Sequence, residues 1–378
     1  MINPQDFVKA LKKAKVKFIT GVPDSLLKEV CVCIDNEFPK KKHIIATSEG
    51  SAVALSIGHY LATKNPALVY MQNSGLGNSM NPIISLADPK VYGIPMILMI
   101  GWRGEIKIDG KQIHDEPQHK KQGMITVNQL KTAGIPFKII NSKTKKIEII
   151  LWNLKCLAIK REGPVALLVR KKTFSSHSFS KKNRVQNFIS REQAIKEIIK
   201  KLPRNLVLVS TTGMISRELL ELRKMNKQST YGDFLSVGGM GHANQIAAGI
   251  ALEKPKKKVL CIDGDGSVLM HMGSLAISSQ FTNLTHVVLN NEVHDSVGGQ
   301  PTKGDVVDFT KIARACGYKN TQIIKKKNEI NKSILKGINK KTSSLIVIKC
   351  KKGHRDNLGR PKENLSNRKK MFIAYLKR

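Results

Sequence analysis

The sequence predicts an α/β chain built as two doubly wound parallel-sheet domains, and three observations carry that expectation. Short apolar strand-like runs alternate with helix-like segments along the whole chain, the pattern of parallel sheets covered on both faces. The pattern repeats with a period near 190 residues, once glycines and prolines are aligned. A stretch from Thr173 to Phe188, rich in Ser, Lys and Asn and poor in aliphatic residues, separates the copies and reads as a linker. The boundary is expected near residue 180, giving domains 1–180 and 181–378.

In the first half, Asn3 can cap and Pro4 can open a helix, since proline lacks only an N–H that the first turn leaves unbonded anyway. Strands are expected at Val16–Thr20 and His43–Thr47. The small-residue segment Glu49–Gly58 then reads as a helix packed closely on the sheet. Pro66 introduces the strand Ala67–Met71, and Ser74-Gly-Leu-Gly77 forms a loop that opens the next helix. Further strands are expected at Met96–Ile100 and Val165–Val169. The second half follows the same grammar. A strand at Leu206–Ser210 precedes the small-residue helix Gly241–Gly249, Pro255 and the strand Lys258–Ile262. The loop Gly264-Asp-Gly266 follows, then strands at His286–Leu289 and Leu345–Ile348.

The chemistry concentrates in Val259-Leu-Cys-Ile-Asp-Gly-Asp-Gly-Ser267 and Val287-Val-Leu-Asn-Asn291. Glycines after a strand let the backbone approach an oxyanion, and a following helix aims free N–H groups at it. Asp265 can offer a hard oxygen ligand, and Asn291, at the end of a neighbouring strand, another. So sparse an oxygen set suits Mg²⁺, which completes its octahedron with phosphate oxygens and water.

Gly264-Asp265-Gly266, followed after 24 residues by Asn291, resembles the motif of the thiamin-diphosphate enzymes. The resemblance implies the thiamin-diphosphate-binding fold, with a pyrimidine-binding domain first, a diphosphate-binding domain second and no middle domain. It implies that Asp265, the Asn291 side chain and the Val293 carbonyl bind Mg²⁺, and that Gly264, Gly266 and Ser267 lie along the diphosphate. Glu49 stands where the family has a glutamate that hydrogen-bonds the aminopyrimidine ring and so primes the cofactor. Met240, within Ser236-Val-Gly-Gly-Met-Gly-His-Ala243, takes the place of the residue that holds the cofactor bent.

Two domains without a third resemble the short decarboxylases of this family, which implies decarboxylation of a small anionic 2-oxo acid. Asp24 or Ser25, after the first strand, is expected to reach the reacting carbons. His114, Asp115 and His119 are candidate proton carriers, because imidazole and carboxylate groups titrate near neutrality when their surroundings are tuned. Arg103, Arg355 and Arg360 are candidates for gripping the anionic substrate, since a guanidinium fork matches such groups. The family shares its cofactor between neighbouring subunits, which implies at least a homodimer.

Lys and Arg total 65 against 28 Asp and Glu, a formal charge of +37. That charge raises nucleic-acid binding as a competing class, held by phosphate contacts. The lysines, however, are spread over the whole chain and aromatics are only 5%, so no stacking platform or basic helix emerges. No nucleic-acid partner is expected. No apolar run approaches the ~18 residues of a membrane span, and the six cysteines form no C-x-x-C pair. A cytoplasmic protein with reduced thiols, free of membrane, is expected.

Overall fold

The computed structural model describes residues 1–107, 109–176, 187–355, 357–359 and 364–378. It divides into two compact units, Met1–Lys182 and Asn183–Arg378.

In chain order the first unit runs α1 (Pro4–Lys13), β1 (Ile19–Gly21), α2 (Lys28–Glu37), β2 (His43–Ile45), α3 (Glu49–Thr63), β3 (Ala67–Gln72) and α4 (Gly75–Pro82). It continues through β4 (Met96–Gly101), α5 (Pro117–Thr132), β5 (Phe137–Ile140), α6 (Ile147–Arg161) and β6 (Pro164–Val169). Asn3 caps α1 through its side-chain oxygen, which accepts from the Gln5 N–H. The six strands are parallel and ordered β2-β1-β3-β4-β6-β5. Successive residues of the central strands point to opposite faces. Leu68, Tyr70, Ile97, Met99, Val165 and Leu167 enter one core. Val69, Met71, Leu98, Ile100, Ala166 and Leu168 enter the other. Burial of such a side chain stabilises the fold by about 2 kcal/mol, so both helical layers are held tightly.

The second unit runs α7 (Arg191–Ile199), β7 (Val207–Ser210), α8 (Met214–Met225), β8 (Asp233–Leu235), α9 (Ala243–Glu253), β9 (Val259–Gly264), α10 (Asp265–Met270) and α11 (Leu275–Ser278). Then come β10 (Leu284–Asn290), a ribbon of β11 (Val293–His294) and β12 (Gln300–Pro301), α12 (Phe309–Ala315), β13 (Asn320–Ile324), α13 (Lys327–Asn339), β14 (Ser344–Lys349) and α14 (Leu365–Lys377). Its main sheet, also parallel, is ordered β13-β14-β10-β9-β7-β8. Read from its other edge, this is the order of the first sheet, with β9 in the place of β3 and β10 in the place of β4. The repeat seen in the sequence is therefore a repeat of topology.

Candidate active site

In a parallel sheet the chain leaves every strand at the same end, so loops that follow neighbouring strands gather side chains there. In the first unit those loops carry Asp24 after β1, Glu49 after β2, Gly75 after β3 and Arg103 after β4. Glu49 opens α3, whose cap is Ser48, and is only 6% exposed. Its Oε2 accepts from Asn78 Nδ2 at 2.9 Å. The chain passes so close at Gly75 that a Cβ there would stand 2.5 Å from Glu49 Cγ. The glycine is thus required by the glutamate.

Asp24 is 1% exposed. Its Oδ2 accepts from the Leu26 N–H at 2.9 Å, while Oδ1 has no hydrogen-bond partner among the described residues. Burial pushes its carboxyl up to about 6, against the pull of Arg103 and of nearby backbone N–H groups. Near neutrality it can therefore exchange a proton.

Arg103 donates from Nε to Asp115 Oδ2 at 2.8 Å, from Nη2 to Asp115 Oδ1 at 2.5 Å and from Nη1 to Ser25 Oγ at 2.9 Å. Asn73, unremarked in the sequence, donates from Nδ2 to the Arg103 carbonyl and accepts from the Arg103 N–H. Burial alone would raise the Asp115 carboxyl, but hydrogen bonds from Arg103, Glu116 N–H and Gly104 N–H hold it well below the usual carboxylate range. So placed, Asp115 suits the anchoring of Arg103 better than proton transfer. His119 is buried in the first turn of α5, and His114 lies exposed in the loop before it.

In the second unit, Asp265 opens α10 and Asn291 follows β10, the adjacent strand, both at most 4% exposed. Asp265 Oδ2 accepts from the Thr302 hydroxyl, and the Gly304 N–H donates to Thr302 Oγ1 at 3.0 Å. Burial pushes the Asp265 carboxyl up to about 6, opposed by the Thr302 hydroxyl and backbone N–H groups. Ser267 Oγ accepts from the Gly241 N–H at 3.0 Å and pairs with Thr211 Oγ1 at 2.9 Å. This ties the loop carrying Met240 to α10. Met240 is half-buried there, between Gly239 and Gly241, both at positive φ. Val293 begins the β11–β12 ribbon, and His294 beside it is pushed down to about 4 by burial. The helix that opens at Asp265, within Gly264-Asp-Gly266, ends at Met270.

Arg355 is engaged by Glu192 and Glu221 in the second unit, which leaves little of its fork for a ligand. Arg360 lies outside the described residues.

These residues fit a diphosphate and a hard divalent cation. Among the described residues Asp265 is a buried carboxylate with no cationic partner, and Asn290 Oδ1 is buried with no hydrogen-bond partner. A Cβ on Gly266 would come within 2.8 Å of His294 Cε1 and 3.0 Å of Thr302 Cγ2, so only glycine leaves the cradle open. Beneath the loop, Cys261, Asp263 and His286 bring ligand atoms within 4.8 Å of one another. That set, with a thiol and an imidazole, suits softer metals.

Two parallel six-stranded sheets of one topology fit the fold expected of a thiamin-pyrophosphate enzyme. The model of the N-terminal thiamine pyrophosphate binding domain matches residues 4–129, and that of the C-terminal domain matches residues 211–348. Phosphonopyruvate decarboxylase of Streptomyces viridochromogenes is 32% identical over 393 residues, covering 100% of this chain and 95% of that protein. The enzyme of the same name from Streptomyces hygroscopicus is 29% identical, covering 96% and 91%. Sulfopyruvate decarboxylase of Methanosarcina acetivorans is 26% identical, covering 94% and 93%. The chain belongs to the phosphonopyruvate decarboxylase family of thiamin-pyrophosphate enzymes, and its reaction is a thiamin-dependent decarboxylation, the work of a carbon–carbon lyase.

Among the described residues no helix is long and apolar enough to cross a membrane. Asn78, Asn73 and Thr302 are not singled out in the sequence. The first two lie in Met71-Gln-Asn-Ser-Gly-Leu-Gly-Asn78 and the last in Asp295-Ser-Val-Gly-Gly-Gln-Pro-Thr302. Those two polar, glycine-rich segments after strands were the available signal.

Proposed function

We propose that the protein decarboxylates 3-phosphonopyruvate to phosphonoacetaldehyde and carbon dioxide, as a step in phosphonate biosynthesis, with thiamin diphosphate and Mg²⁺. The observation that carries the substrate is the similarity to phosphonopyruvate decarboxylase along the entire chain.

Asp265, the Asn291 side chain and the Val293 carbonyl would hold Mg²⁺, with Gly264, Gly266 and Ser267 along the diphosphate and Met240 under the bent cofactor. Glu49 would hold the aminopyrimidine end. Bound thiamin diphosphate supplies a sink for the electron pair left when the carboxylate departs. The chain's own groups manage the rest. The carbon that loses carbon dioxide must gain a proton, and Asp24, buried with a carboxyl near 6, suits that transfer, with Ser25 beside it. Arg103 spends Nε and one N–H of each terminal nitrogen on Asp115 and Ser25, so only its remaining Nη N–H groups would meet an anionic substrate. His114 and His119 are secondary candidates for moving protons.

The protein acts as a homo-oligomer, at least a dimer, in the cytoplasm. The two small-residue helices support this. Leu55 and Leu61 of α3 and Ile246 and Leu252 of α9 are exposed, although α3 and α9 are among the most apolar helices of their units. Apolar faces of this kind are usually covered by a partner.

Carbon dioxide release from phosphonopyruvate that needs both cofactor and Mg²⁺ is the expected result. Glu49→Gln should lower kcat by roughly 100-fold or more, with far less effect on cofactor affinity measured by calorimetry. Unchanged turnover in that variant would remove Glu49 from the mechanism. Side-by-side assays with phosphonopyruvate, sulfopyruvate and pyruvate test the substrate. A higher kcat/KM for sulfopyruvate would replace the reading with that of a sulfopyruvate decarboxylase.

A further inference from the structure

A buried line of polar side chains ends on Asn291. Glu218, Arg191 and Asp295 have side chains 1%, 5% and 6% exposed, and Asn291 is 4% exposed. Arg191, the first residue of α7, donates from Nε and Nη2 to the two oxygens of Glu218, both at 2.8 Å. Its Nη1 donates to Asp295 Oδ2 at 2.6 Å. The same Oδ2 accepts from Asn291 Nδ2 at 2.6 Å, and Asp295 Oδ1 accepts from the Gly353 N–H at 3.1 Å.

An ionised carboxylate only accepts hydrogen bonds. The edge of the Asn291 amide that meets Asp295 must therefore be its NH₂, and Oδ1 is the end turned away. A carboxamide without that contact could present either end, and NH₂ repels a cation. The Arg191 fork, itself locked by Glu218, keeps the Asp295 carboxylate from rotating.

We propose that Asp295, braced by Arg191 and Glu218, is a positioning residue that turns the oxygen of Asn291 toward the divalent cation. The inference rests on Asn291 being a ligand, as under the proposed function. Partners standing behind a metal ligand typically govern affinity by roughly 10- to 100-fold.

The test measures Mn²⁺ binding to the full-length protein with thiamin diphosphate, by electron paramagnetic resonance of the free ion. Asp295→Leu keeps about the side chain's size, offers no acceptor to the Asn291 NH₂, and should weaken Mn²⁺ binding roughly 10- to 100-fold. In an Asn291→Ala background the same substitution should change it by less than about two-fold, because the group it orients is gone. A variant affinity within about two-fold of the unsubstituted protein, or equal losses in both backgrounds, would overturn the proposal. Should Asp295→Leu not fold, Arg191→Lys, which keeps a cation but loses the fork, should weaken binding to a smaller extent. An unchanged affinity there would overturn it too. Failure of the unsubstituted protein to bind Mn²⁺ would instead overturn the cation assignment, and this inference with it.

Discussion

At Asp24 the structure holds a carboxyl where water cannot solvate its charge, and the consequences for stability and catalysis run in opposite directions. With a carboxyl pushed up to about 6, the folded protein binds a proton more readily there than the unfolded chain does. Stability from this group is therefore lost as pH rises from about 4 through about 6, and holding the charge at neutral pH costs on the order of 3 kcal/mol. Asp24→Asn should raise the melting temperature at pH 7.5, and the gain should shrink to nothing as pH falls toward 4. The same substitution should cut kcat roughly 100-fold, since the amide has no acidic proton to give. A variant that is neither stabilised nor slowed would show that Asp24 is neither strained nor used. Asp265 stands out in the sequence as an acid between glycines after a strand, whereas Asp24 and Glu49 were singled out by the family resemblance, each following a strand. Asn78 and Thr302 were not, because contact with Glu49 and Asp265 depends on loops returning through space.

Elements differ in how much of themselves they show in the sequence. The central strands β3, β4, β6, β9, β10 and β14 are almost wholly buried on both faces, so their apolar runs announced them. The strands β5, β8 and β13 went unread. Each lies at a sheet edge and is only partly covered, so sequences such as Phe-Lys-Ile-Ile and Asn-Thr-Gln-Ile-Ile mix polar with apolar residues. Helix α7 shows the value of an end signal. Ser190 Oγ accepts from the Gln193 N–H while Gln193 accepts from the Ser190 N–H, a reciprocal cap at the helix that carries Arg191. Ser190→Ala should cost about 1 kcal/mol of stability, read as a lower urea midpoint with unchanged slope. No shift would mean that the buried Arg191 pairs alone fix that end.

At the scale of the whole molecule, two copies of one topology carry different residues at matching points. The first has Ser74-Gly-Leu-Gly77 where the second has Gly264-Asp-Gly266, and the second opens α9 with Ala243 where the first opens α3 with Glu49. The charge of +37 is spread over both and follows from neither half-site. If a cofactor lies between the first unit of one chain and the second unit of its partner, two inactive variants can repair one another. Glu49→Gln destroys one half-site and Asp265→Asn the other. In a mixed dimer, one of the two sites then receives both lesions and the second receives none. Unfolding and refolding the two variants together, so that subunits reassort at random, should restore about a quarter of the unsubstituted activity. Refolding each alone should restore none. A site completed within a single chain would give no recovery on mixing, because every site in every mixed dimer would still carry one lesion. The activity of the mixture therefore decides whether the exposed faces of α3 and α9 serve only to hold subunits together or also bring the two half-sites of different chains to one cofactor.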